Sequence, residues 1–181
     1  MDLAVPNAGR VTWRHFLGAV LGALGAFVVV LGFIVLYSVL KGHDPLAPFE
    51  SGGTIAGFTG NTGLAILTLL DFIIPLGAGI GFVVALAVLS RWNLPALAFV
   101  SRRRALLDGL LLGSAVWLLF FVPVTLEVFH TALDRAAVTL LGGLVDHLAF
   151  GAVLVSIIYQ VGGPVPFGPR PGPDPVSGTE S

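Results

Sequence analysis

Few residues in this chain are equipped for chemistry, and most of those few stand in apolar surroundings. The segment LVDHLAFG, residues 144–151, sets Asp146 beside His147. Asp71 stands alone in TLLDFIIP, and Glu127 and His130 close a third apolar run. A carboxylate and an imidazole can relay a proton, coordinate a metal or hydrogen-bond a neighbouring helix. An ionised side chain at a helix centre in hydrocarbon costs about 2.5–3.5 kcal/mol on insertion scales. Such groups are therefore expected to be paired, neutral or in contact with water. Asp71, Asp146 and His147 are the intramembrane candidates, and Glu127 and His130 are the candidates at the outer face.

Other chemistries are poorly supported. There is no cysteine, which removes disulfides, thiolate catalysis and Cys-ligated metals. The one methionine is the first residue, so no internal Met can ligate haem or copper. His43, Asp44, Glu127, His130 and Asp134 match no ligand spacing. His130 and His147 are at different depths, and His15 and His43 lie outside the apolar runs, so no matched pair for a bis-His haem is expected. The Gly-rich GGTIAGFTGNTG lacks the GK[ST] ending of a phosphate-binding loop. No metal site, cofactor or catalytic motif is predicted, and with net charge −1 no nucleic-acid partner is expected.

The elements that must position these residues follow from composition. The chain of 181 residues is 56% hydrophobic and 10% charged, and its mean hydropathy is +0.97. A soluble domain carries roughly 25% charged residues, so most of this chain must face lipid. Four apolar runs are long enough to cross about 30 Å of hydrocarbon as helices, the form in which a span satisfies its own backbone. They cover residues 16–40, 63–90, 105–126 and 136–161. The first is too long for the roughly 7–15-residue core of a secretory signal, and no A-x-A site follows it.

Arg10, Arg14, Arg91, Arg102, Arg103, Arg104 and Arg170 all fall on one side of a four-span layout. Only Lys41 and Arg135 fall on the other. The positive-inside rule then predicts cytoplasmic termini, with Trp13, Trp92 and Tyr159 near the cytoplasmic interface. The expected architecture is an all-α, antiparallel four-transmembrane-helix bundle over residues 1–161. A disordered Pro- and Gly-rich cytoplasmic tail is expected over 162–181.

Helix packing in lipid relies on small residues. The candidates are Gly18, Gly22 and Gly25 with Gly32, then Gly77 and Gly81, Gly109 and Gly113, and Gly143 and Gly151. Pro75 and Pro123 predict kinks. Asp146 lies about ten residues, or roughly 15 Å, into the fourth span, and Asp71 falls at similar depth. Gly143, His147 and Gly151 are four apart and share a face. Asp108 is expected to pair with the Arg102–Arg104 cluster. For Asp146 and His147 three roles stay open: helix packing, a proton or ion path, or a cofactor site.

The segment HLAFGAVLVSIIY, with His147, Phe150, Gly151 and Tyr159, resembles the last span of small four-span bacterial inner-membrane proteins whose role is not known. The resemblance implies a multi-pass protein of the bacterial cell membrane. Short loops leave no room for a soluble catalytic domain. The expectation is a non-catalytic membrane protein, either an accessory subunit or a housekeeping inner-membrane protein, whose partners are the bilayer and other membrane chains or further copies of itself. The rival expectation is a small proton- or ion-coupled transporter or channel using Asp71, Asp146 and His147.

Overall fold

The computed structural model describes residues 10–45, 60–90, 99–127 and 133–166, apart from the side chains at 60–68, 70–71, 124, 127 and 133–139. Helix α1 spans Trp13–Leu40 and α2 spans Gly60–Leu89. Helix α3 spans Arg102–Val116 and runs through a π-helical turn, Trp117–Phe121, into the short α4, Val122–Glu127. Helix α5 spans Leu133–Gly162. Four stretches are long and apolar enough to cross a membrane: Trp13–Leu40, Phe72–Leu89, Arg102–Phe121 and Leu140–Gly162. Each overlaps one of the four expected spans, the second only from Phe72 onward. Among the described residues there is no strand, only an isolated bridge between Phe99 and Val165.

Local chemistry sets the helix ends. Ser101 caps α3 by accepting from the Arg104 N–H at 3.1 Å. Helix α1 ends at Gly42, whose φ of +73° suits the left-handed position after a helix. There the Gly42 and His43 N–H groups bond the Val39 and Ser38 carbonyls at 3.0 Å. Gly163, with φ +87°, ends α5 in the same way. The helix therefore stops just inside the stretch expected as tail. Residues 163–166 then turn back, and Val165 exchanges two backbone hydrogen bonds with Phe99, at 3.1 and 2.7 Å. Residues 167–181 lie outside the described residues.

Helix α5 is the centre of the bundle, packed along α1 on one side and α3 on the other. Helix α1 also packs on α2, whereas α2 and α3 barely touch. Glycines set the close crossings. A Cβ at Gly18 would stand 2.9 Å from Ile158 Cα, and one at Gly22 would stand 2.7 Å from the Leu154 carbonyl. Gly25 meets the Ile157 side chain at 2.8 Å. Gly109 and Gly113 face the backbone at Gly151 and His147 so closely that any Cβ there would collide with a carbonyl oxygen. With little hydrophobic drive between helices in lipid, such close van der Waals contact carries the association.

The glycines expected to pack α2 do not. Gly77 and Gly81 look onto open space, as does Gly32 of α1. The packed glycine of α2 is Gly79, whose Cβ would meet Leu154 at 3.1 Å and Ala19 at 3.3 Å. It belongs to the buried stripe Pro75, Gly79, Val83 and Leu86, and a helix turn of 3.6 residues puts Gly77 and Gly81 on other faces.

The two prolines act differently. Helix α2 is continuous through Pro75. Pro123 follows the π turn, in which the Val122 N–H reaches the Trp117 carbonyl. A proline has no N–H and its ring crowds the carbonyl four residues back, here Leu119. The wider turn ahead of Pro123 gives that carbonyl room.

Candidate functional site

His147 lies on the face of α5 that meets α3, as its spacing with Gly143 and Gly151 requires. Its Nδ1–H donates to the Gly143 carbonyl one turn back at 2.7 Å. That bond leaves Nε2 as the acceptor of the neutral ring. Phe121 approaches the imidazole at 5.1 Å between centroids, and Phe150 meets it edge-on at 6.2 Å. Phe121 also covers Gly143, where any Cβ would strike its ring. The π turn thus delivers Phe121 to α5. It also delivers Trp117, whose Nε1–H donates to the Leu140 carbonyl at 2.9 Å. His147 is held by its own helix and two aromatic rings.

Asp146 is next in sequence but does not pair with His147. It is partly buried, and no salt bridge or side-chain hydrogen bond joins it to any described residue. It shares a stripe with Gly142, one turn away, which faces open space. Leu141 and Val145 beside it are 65% and 55% exposed. No described residue covers this face of α5. Asp71 is on α2 and Glu127 ends α4, but their side chains lie outside the described residues, as does all of His130.

A second polar cluster forms at the Arg-rich end. His15, 1% exposed, is the third residue of α1. Its Nδ1 accepts from the Thr12 N–H at 3.1 Å, and its Nε2–H donates to the Gly163 carbonyl at 3.2 Å. The two bonds fix one tautomer and tie the start of α1 to the end of α5. Gly162 lies against the imidazole, leaving no room there for a Cβ. Phe82, Phe99 and Tyr159 form an edge-to-face chain, with centroids 5.7 and 5.3 Å apart. Arg104 Nε stands 2.9 Å from Asp108 Oδ1, one turn along α3, which is the pairing expected for Asp108.

Sequence reasoning placed His15 only as a residue outside the spans. The signal for its structural role was present in Thr12-x-x-His15, the spacing of a capping box with imidazole in the place of a carboxylate. The Phe99–Val165 pairing carried no such signal, since each partner lies in a stretch without periodicity. Among the described residues no group of three or more His, Asp or Glu could hold a metal ion. No protein-family model, curated protein or solved structure matches this chain at a significant level.

Proposed function

We propose that this chain is a non-catalytic, multi-pass protein of a bacterial cell membrane that serves as an accessory subunit, completing its polar contacts against another membrane chain. Asp146 carries the reading. A carboxylate at this depth in hydrocarbon needs a partner, and no described residue supplies one. The open stripe of Gly142 and Asp146 suits a second helix, since a small residue admits close approach and a carboxylate takes a Lys, Arg or amide donor. His147, closed onto Gly143 and packed by Phe121 and Phe150, argues for packing rather than transfer of a proton.

The helices run antiparallel in this reading. Gly18 and Gly22 of α1 meet Ile158 and then Leu154 of α5, and Gly109 and Gly113 of α3 meet Gly151 and then His147. Position numbers rise on one helix as they fall on the other. The Arg-rich end holds the starts of α1 and α3 and the end of α5, so the positive-inside rule supports cytoplasmic termini.

The test is native mass spectrometry of the tagged full chain, extracted gently from its own membrane. The expected result is a complex with another membrane chain that Asp146→Asn dissociates, while the variant keeps the wild-type yield and melting temperature. A bare monomer or homo-oligomer whose pH-dependent ion flux in liposomes is abolished by Asp146→Asn would overturn the reading in favour of a small transporter.

A further inference from the structure

The gap between α2 and α3 is a crevice of about 330 Å³. Phe82, Ala85, Leu86 and Leu89 line one wall, and Leu111, Leu112 and Ala115 line the other. Among the described residues, Arg104 and Asp108 are the only polar ones in its lining. The α3 wall from Arg104 to Ala115 is 12 residues, whose 11 steps of 1.5 Å span about 16 Å. That is about half of a 30 Å hydrocarbon core, the depth of one leaflet. A groove of this length, apolar along its walls and charged at one end, suits a hydrocarbon chain with its headgroup.

The charge lies at the right end for a phospholipid. Arg104 lines the crevice, and exposed Arg102 and Arg103 precede it at the start of α3. The single carboxylate, Asp108, leaves a surplus of two positive charges among these four residues. Although Arg104 Nε is close to Asp108, it is buried and makes no hydrogen bond. We propose that the α2–α3 crevice binds one acyl chain of an anionic phospholipid, whose phosphate is taken by Arg104 within the positive field of Arg102 and Arg103. Basic residues beside a gap between spans are a recurrent setting for anionic headgroups.

The full chain in detergent is offered phosphatidylglycerol or phosphatidylcholine with identical acyl chains, and retained lipid is counted by native mass spectrometry. Phosphatidylglycerol is expected to be retained in preference, and equimolar inorganic phosphate should not displace it. Arg104→Gln should weaken phosphatidylglycerol about fivefold, the worth of one cation near a membrane surface, and weaken phosphatidylcholine, whose choline cation offsets its phosphate, by less. Ala85→Leu, at an exposed wall position, should fill the slot and reduce both lipids. Equal retention of the two lipids by the wild type would overturn the proposal. So would full displacement by phosphate, a second protein chain retained in place of lipid, or undiminished binding by Ala85→Leu. The last variant leaves the ion pair intact and decides the matter if Arg104→Gln does not fold.

Discussion

Toward the Arg-rich end, α1 buries His15, Gly18, Ala19, Gly22, Ala23 and Ala26. Toward its other end Ser38 is the one buried residue of α1, and Leu36 and Leu40 are 54% and 75% exposed. Helix α5 follows the same gradient, from fully buried Leu154, Val155 and Ile158 to open Leu141 and Val145. The tight half combines small residues that let backbones meet with hydrogen bonds that tie termini together. The loose half has large apolar side chains that lipid solvates as well as protein would, so nothing draws them inward. Hydropathy alone does not separate these halves, because the difference lies in side-chain size and in where backbone donors and acceptors find partners.

Substitutions can break or sharpen this contrast. The largest effect is expected from Gly113→Leu, whose side chain has only the His147 carbonyl to displace. Overpacking against backbone should cost 3 kcal/mol or about that, read as loss of the folded peak in size-exclusion chromatography of the extracted protein. Next comes His15→Ala, which leaves the Gly163 carbonyl and the Thr12 N–H without their partner. A loss of roughly 1–3 kcal/mol is expected, measured by thermal unfolding in detergent. A His15 variant as stable as wild type would remove the polar tie from the account of the tight half.

Smaller effects are expected in the loose half. Trp117→Phe removes the one bond from Nε1 to the Leu140 carbonyl and should cost about 0.6 kcal/mol, the average for a hydrogen bond between membrane helices. Gly32→Leu should change the melting temperature of the isolated chain hardly at all, within about 0.5 kcal/mol, because its Cβ meets nothing. A large loss at Gly32 would mean that the loose half is closed by contacts of its own.

Much of this was legible beforehand. All four spans were, since a run of about 20 apolar residues has one stable form in lipid. Gly32 meets nothing, but Gly18 and Gly22, Gly109 and Gly113, and Gly143 and Gly151 were legible as packing faces. Those of α2 were not, because GAGIG offers Gly77, Gly79 and Gly81 on different faces and only the neighbour selects one. The sequence put Asp146 and His147 at one depth without saying what either meets. On a helix, adjacent side chains point about 100° apart, and each met a different environment.

Composition and hydropathy by themselves determined that the chain is helical, with four stretches long and apolar enough to cross a membrane. These follow from chain length against bilayer thickness and from the demand that every backbone group be satisfied within its own segment. Tertiary structure alone decided that α5 is central, that Gly79 is the packed glycine of α2, and that α2 and α3 stand apart around a crevice. It also decided that His147 is closed off while Asp146 is left open. These depend on which faces of the helices meet, and lipid is too uniform a solvent for hydropathy to encode that choice.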